Sequence, residues 1–389
     1  MNYKFADLFC GGGGMSLGLI KAGLEDTVAV DFWDAAKNNY TTYEPLSKSE
    51  FLQKNLFKKD EIEDVIAKLR EKKIDLLAGG PPCQGFSTLG KRDNEDCRNK
   101  LVDAYLEIAL KVRPKMIIME NVPAIQSMKH SSGLKYPEYA KKLLQENNYY
   151  STTVFMEGEK VGLAQSRKRL FLLAVNREFV GDIDDFSAEI KKLIEAKEET
   201  YEKRTLRDVI YDLPRYESNQ GEDISEYNGK PLYNHTVFKY REDNLARIKT
   251  VPYDGGLQDI PDALLSNHLK KMKSGGYGSG GFVKNLYGRL NWDKPSGTIV
   301  AGIKKITCGR YFHPECDRLL TVREAARLQS FPDDYLVKGG MIEQYTIIGN
   351  AVPPRFSEVI GDVLVDVYEK YEKVKTDENY LYSLEASNM

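Results

Sequence analysis

From Lys4 to about Val175 the chain repeats one pattern: a short apolar run, a turn rich in glycine or proline, then residues at helical spacing. No other feature limits the fold as much, because alternating strand and helix signals build a mainly parallel sheet with helices on both faces. Lys4 to Phe9 runs into four glycines, and Met15, Leu17, Leu19 and Ile20 suit a helix closed by Gly23. Thr27 to Val30 reads as a second strand, Asp60 as the cap of a helix reaching about Lys72, and Ile74 to Ala78 as a third strand. Helical spacing from Leu101 to Val112, a buried strand from Lys115 to Met119, a helix over Tyr139 to Glu146 and strands over Ser151 to Phe155 and Arg169 to Val175 complete the series.

The pattern changes after about Asn176. An acidic helical stretch covers Ala188 to Glu199, and from Tyr211 to Trp292 the chain is richer in Tyr, Asn, Gly and Pro. Lys273 to Gly281 has the composition of a flexible loop. The predicted organisation is an α/β domain over 1–199, completed by 326–389, and a smaller irregular domain over 200–325. Helical periodicity returns at Thr321 to Ser330 and from Phe356 to about Tyr371. With 389 residues the chain has room for two cores.

No run approaches the roughly 20 apolar residues of a membrane span, and Met1 to Lys4 leads directly into a strand, so no signal peptide is read and a cytoplasmic location is expected. The five cysteines form no C-x-x-C pair, which argues against a zinc site or a disulfide framework, and no metal is expected. A net charge of −2 gives no general attraction to nucleic acid. From His235 to Leu290, however, nine basic residues face five acids, a local +4 that permits a basic surface.

Ligands of open α/β sheets bind at the carboxyl ends of strands. The first such end carries Asp7-Leu8-Phe9-Cys10-Gly11-Gly12-Gly13-Gly14, and the second carries Asp31-Phe32-Trp33. Glycines let backbone approach a ligand, a carboxylate can accept from ribose hydroxyls, and the Trp33 indole can cover an adenine face. The spacing points to a nucleoside-containing cofactor without choosing between a dinucleotide and S-adenosylmethionine. The third end carries Gly80-Pro81-Pro82-Cys83-Gln84. Two prolines stiffen the turn and leave carbonyls to accept. Cys83 is read there as a nucleophile in preference to a small buried residue. Glu120-Asn121-Val122 closes the next strand, where a desolvated carboxyl can carry a proton or cap the following segment. Gln165-Ser166-Arg167-Lys168-Arg169 enters another strand, where alternation would put Arg167 and Arg169 on one side as a clamp for a carbonyl oxygen and a phosphate. Standing alone, that stretch reads instead as a solvated strand start.

Taken together these stretches resemble the DNA cytosine-5 methyltransferase family. Its Asp-Leu-Phe-x-Gly-x-Gly-Gly, Pro-Cys-Gln, Glu-Asn-Val and Gln-x-Arg-x-Arg motifs fall at Asp7 to Gly14, Pro82 to Gln84, Glu120 to Val122 and Gln165 to Arg169. Later signatures follow in the family's order: Arg289-Leu290 with Trp292 to Pro295, Thr321 to Gln329, and Gly349 to Pro354. The resemblance implies a Rossmann-like S-adenosylmethionine-dependent methyltransferase sheet with a target-recognition domain, acting on a cytosine flipped out of double-stranded DNA. It implies that Cys83 adds to ring position 6, that Glu120 donates to N3, and that Arg169 and Arg167 hold the base oxygen and support the site. It assigns Asp7, Phe9, Gly11, Gly13, Gly14, Asp31, Phe32, Trp33, Asn55, Leu56, Pro81, Asn350, Ala351 and Val352 to the cofactor. Gln84, Ser87, Arg98 and Gln165 would contact DNA, with the polar stretch from Gln84 to Lys100 as a closing lid. Asn55 stands where the family often has Asp, and Ala164 where it has Pro. A bacterial restriction-modification role, a cognate restriction endonuclease and a monomer are expected. The alternatives are an RNA cytosine-5 methyltransferase and a catalytically silent DNA-binding regulator of the same fold.

Overall fold

The computed structural model describes residues 3–82, 100–275 and 285–387, with side chains through 373. They fall into two compact units, 1–157 with 168–201 and 352–389, and 158–167 with 202–351.

In the first unit, strands β1 (Lys4–Leu8), β2 (Glu25–Asp31), β3 (Glu50–Gln53), β4 (Leu76–Gly79), β5 (Met116–Asn121), β6 (Tyr149–Glu157) and β8 (Lys168–Asn176) form one sheet in the order β3-β2-β1-β4-β5-β8-β6. The two-residue β7 (Gln165–Ser166) belongs to the second unit. The five strands from β3 to β5 are parallel, and β8 runs antiparallel to both β5 and β6. The chain steps from β1 outward to β2 and β3, then crosses back to β4 on the other side of β1. That reversal opens a crevice at the carboxyl ends of β1 and β4.

Alternation along the strands feeds two cores. Ala6, Leu8, Val28, Val30, Leu77, Ile117, Met119, Leu170 and Leu172 pack with Val65, Ile66 and Leu69 of α3 (Lys59–Lys72), Tyr105 and Ile108 of α4 (Lys100–Val112) and Ala140 and Leu144 of α5 (Tyr136–Glu146). The opposite face carries Phe171, whose ring meets Phe356 of the C-terminal helix Pro354–Ser387 edge-on at 6.2 Å. That helix crosses α1 (Gly14–Lys21) at Gly18, where a Cβ would stand 2.1 Å from the Pro354 carbonyl and from Ser357 Oγ. Sequence periodicity missed β3 and α2 (Asp34–Tyr40), which are too short to show a period, and it stopped the C-terminal helix too early.

The second unit has little regular structure. Its strands are short pairs: Ile224–Tyr227 with Lys230–Tyr233, Gly288–Arg289 with Arg310–Phe312, and β7 with Ser296–Gly297. Irregular backbone leaves carbonyls that must find donors elsewhere. Buried guanidiniums supply them. Arg289 donates to the carbonyls of Ile248, Val251, His313 and Cys316, and Arg323 to those of Tyr233, Pro332 and Tyr335. Arg318 makes a bidentate pair with Glu324 at 2.7 and 2.9 Å, both side chains fully buried. Glu324 also accepts from the Thr321 N–H in a capping box at the start of the helix Val322–Leu328. The expected loop from Lys273 to Gly281 lies, from 276 onward, outside the described residues.

Two substitutions test these packings. Gly18→Ala presses a methyl onto helix backbone and should lower stability by about 1–3 kcal/mol, read as a lower urea midpoint. An unchanged midpoint would contradict the crossing. Glu324→Gln strips the counter-charge from a buried guanidinium and should cost about 3–5 kcal/mol. Wild-type thermal unfolding of that variant would show that the pair does not hold the second unit.

Candidate active site

The chain leaves β1 through an abrupt turn. Phe9, Gly11 and Gly13 all have positive φ, at 61°, 52° and 80°. At Gly11 nothing lies within 4 Å of where a Cβ would stand, so bare backbone faces open space. At Gly13 a Cβ would lie 2.3 Å from Leu46 and 3.2 Å from the Tyr40 ring, so both conformation and packing require glycine. The turn closes through Gly13 N–H to the Cys10 carbonyl at 2.9 Å and starts α1 at Gly14.

Asp31, the last residue of β2, holds this turn. Its Oδ2 accepts from the Gly11 N–H at 3.0 Å and its Oδ1 from the Trp33 N–H at 2.9 Å. Burial raises the Asp31 pKa, and the N–H donors oppose the rise. The adjacent Phe32 ring is 65% exposed, whereas Trp33 is half-buried at the cap of α2. Phe57, which sequence reasoning passed over, is a second exposed ring just past the end of β3. The register pairs Asp31 with Gln53, so these two ends are neighbours. The available signal was an aromatic residue in the mainly polar stretch Lys54 to Asp60 after β3.

Other candidates serve the frame. Leu56 is buried in the core cluster. Asn55 uses its side-chain oxygen to accept from the Phe57 N–H at 3.1 Å. Asp7 is buried and accepts from Ser16 Oγ at 2.7 Å, which places it under the glycine turn.

β4 ends at Gly79, four residues before Cys83. Pro81 and Pro82 are described; Cys83, Gln84, Ser87, Arg98 and the stretch read as a lid up to residue 99 lie outside the described residues. The Pro81 carbonyl accepts from Asn121 Nδ2 at 3.2 Å, while Asn121 Oδ1 accepts from the Val122 N–H at 2.8 Å. Asn121 therefore ties the end of β5 to the turn that follows β4. Glu120, one residue earlier, is buried, and its Oε1 pairs with Arg169 Nε at 2.9 Å. Its Oε2 lies 3.2 Å from where a Cβ on Gly80 would stand. Arg169 is held further by donating Nη1 to the Lys168 carbonyl at 2.8 Å; burial lowers its pKa and Glu120 offsets the drop. Val352 reaches the same turn, its Cγ2 3.9 Å from the Gly80 Cβ position.

Arg167 does not share this arrangement. The expected alternation fails because the strand is interrupted at Arg167, between β7 and β8, and the two arginines fall in different units. Arg167 is buried and donates to the carbonyls of Ile299 and Ala351 at 2.8 and 3.0 Å, a bracing role in the second unit. Gln165 is fully buried and also braces that unit, donating to the Leu328 carbonyl and Gln329 Oε1 and accepting from the Ile299 N–H. Its side chain is spent on protein instead of facing DNA. Asn350 ends the helix Met341–Asn350 and is exposed.

A bare glycine turn, a desolvated carboxylate holding that turn, and exposed rings at two adjacent strand ends fit a purine nucleoside with free ribose hydroxyls. A buried Glu–Arg pair beside a proline turn can offer an N–H fork and a carboxyl oxygen to one heterocycle. Asn121→Ala should leave the Pro81 carbonyl without its donor and cost about 1–3 kcal/mol, measured by urea unfolding. A loss well under this range would mean that the tie is not structural.

Comparison with known proteins follows the same lines. A sequence profile described as C-5 cytosine-specific DNA methylase matches residues 3–366. The chain is similar to the type II methyltransferase M.Eco47II of Escherichia coli, with 30% identity across 95% of this chain and 81% of that protein. It is 29% identical to the type II methyltransferase M1.HphI of Haemophilus parahaemolyticus across 94% and 87%. A crystal structure of a DNA modification methyltransferase encoded within an E. coli prophage superposes with a TM-score of 0.69 at 22% identity, covering 94% of this chain and 99% of that one. With the profile spanning nearly its whole length, the chain belongs to the C-5 cytosine-specific DNA methylase family.

Proposed function

We propose that the protein transfers a methyl group from S-adenosylmethionine to carbon 5 of a cytosine turned out of duplex DNA, through a transient bond from Cys83. The observation that carries this reading is the buried Glu120–Arg169 pair beside the Pro81 turn, which follows β4, the strand next to the one that ends in the glycine turn.

Carbon 5 of cytosine is a weak nucleophile. Addition of the Cys83 thiolate to carbon 6 would push electron density to carbon 5. Glu120, delivering a proton to N3, and Arg169, donating to the ring oxygen, would stabilise the charge that develops. When bound, S-adenosylmethionine supplies an electrophilic methyl on a sulfonium. Gly11 and Asp31 would hold its ribose end, with Phe32 and Phe57 offering faces to the adenine. Loss of the carbon-5 proton then expels Cys83 and restores the ring. Glu120 and Arg169 meet in this structure as an ion pair, which would present a carboxyl oxygen and N–H groups together to the ring's N3 and oxygen edge.

The second unit would read the DNA sequence. Its helix Asn267–Lys273 carries Lys270, Lys271 and Lys273 in the last turn, a basic edge suited to phosphate. The type II relatives support a restriction-modification setting; a cognate endonuclease would share the site, and the enzyme would work as a monomer inside the cell. Among the described residues no helix is long and apolar enough to cross a membrane.

Duplex DNA carrying 5-fluorocytosine should trap the protein covalently in the presence of S-adenosylmethionine, because fluorine cannot leave as a proton does. Cys83→Ser should still bind the duplex but give no trapped species. Trapping by that variant would remove Cys83 from the mechanism, and trapping on transfer RNA but not on duplex DNA would overturn the substrate.

A further inference from the structure

Beneath the glycine turn four side chains from four elements form one chain of oxygens. Ser16 Oγ of α1 lies 2.7 Å from Asp7 Oδ2 of β1, Tyr40 OH of α2 lies 2.8 Å from Ser16 Oγ, and Tyr40 OH lies 2.5 Å from Asp26 Oδ2 of β2. Each contact is at hydrogen-bond distance, and each needs a hydrogen between its oxygens. Ser16 and Tyr40 supply two hydrogens for three contacts. With both carboxyls ionised, Ser16 would donate to Asp7 and Tyr40 to Asp26, and the 2.8 Å Ser16–Tyr40 contact would set lone pair against lone pair. One further proton on either acid repairs the chain. A protonated Asp7 donates to Ser16, Ser16 to Tyr40, and Tyr40 to Asp26; a protonated Asp26 drives the same relay in reverse.

We infer that Asp7 and Asp26 hold one proton between them through Ser16 and Tyr40, and that this shared proton makes Tyr40 the positioning residue that fixes the glycine turn for its cofactor. The Tyr40 ring is the floor of the turn, lying against the Gly13 position. Losing the relay therefore loosens the turn from below while Asp31 still holds Gly11 from β2.

The surroundings favour a neutral acid. Burial is the largest influence on both carboxyls, raising Asp7 to about 7 and Asp26 to about 6. The charged groups facing Asp7 are Asp26 and Asp31, both negative when ionised, so they disfavour a second charge. Cys10, in the turn, faces Tyr40, with its thiol pushed up by burial and kept neutral. Tyr105 of α4 faces Asp7, but its hydroxyl lies 2.9 Å from the Leu77 and Ile118 carbonyls and burial raises its pKa. Ser49, before β3, faces Asp26. Among the described residues, the leading influences on the two carboxyls are burial, acids and hydroxyls, with no cation. Because the folded values lie above the ordinary 3.8, the proton is held below neutrality and is released as pH rises through about 7.

The inference rests on the adenosyl-donor reading, and the test separates the two. The affinity of the ligand-free protein for S-adenosylhomocysteine is measured by calorimetry across pH, and its infrared spectrum is scanned for the carbonyl stretch of a buried protonated carboxyl. Wild type should show the band below neutrality and lose it on alkalinisation, with affinity falling about tenfold per pH unit beyond the release. In Asp26→Asn the amide N–H replaces the proton, donating to Tyr40 and so through Ser16 to ionised Asp7; its affinity should be flat with pH. Tyr40→Phe keeps the ring and cuts the relay, so affinity should be weaker at every pH. No acid band in the wild type, or Asp26→Asn following the wild-type pH profile, would overturn the shared proton. Wild-type affinity in Tyr40→Phe would overturn its positioning role. If S-adenosylhomocysteine fails to bind at any pH, the cofactor reading falls and the infrared band alone decides the proton.

Discussion

Parallel pairing of β1 with β2 on one side and β4 on the other is the constraint on which the site depends. In a parallel sheet every carboxyl end lies along one edge, and reversal of strand order at β1 opens that edge to a ligand. The register sets Leu8 beside Val30 and Gly79, so the glycine turn, Asp31 and the Pro81 turn emerge side by side. β5 adds Glu120 and Asn121 on the far side of β4. Antiparallel β8 enters against the end of β5, which is how Arg169, 49 positions after Glu120, comes to pair with it. A one-residue slip of β8 would turn Arg169 to the other face.

The two units solve the same backbone problem in different ways. The first satisfies its polar groups in a sheet and helices and is free to place acids at strand ends. The second, with little ladder structure, wraps carbonyls around buried Arg289 and Arg323 and neutralises Arg318 with Glu324. A guanidinium brings five donors in a fixed fork, so one side chain can fasten several loops. The sequence stretch around Thr321 to Gln329 is dense in charge partly for this reason: its Arg323 and Glu324 are core residues.

How much was legible in the sequence follows from the range of each interaction. Strand–turn–helix alternation is local, and it disclosed the α/β class and the glycine and proline turns at β1 and β4. The short elements β3 and α2 carry too few residues to show a period. The Glu120–Arg169 pair, the Asn121 tie to Pro81 and the Tyr40 relay join residues 9 to 49 positions apart, and no spacing rule reaches them. Arg167 misled for a definable reason. Alternation assumes an unbroken strand, and the break at Arg167 turns that side chain into bracing for the second unit.

The central claim is that this edge delivers a methyl group to a ring carbon of cytosine in DNA. Its most direct test is to incubate the purified protein with duplex DNA and isotopically labelled S-adenosylmethionine, digest the DNA to nucleosides and identify the labelled species by mass spectrometry with chromatographic standards. The labelled product should be 5-methyl-2′-deoxycytidine. Label on the exocyclic amine of cytosine or adenine, with none on carbon 5, would contradict it.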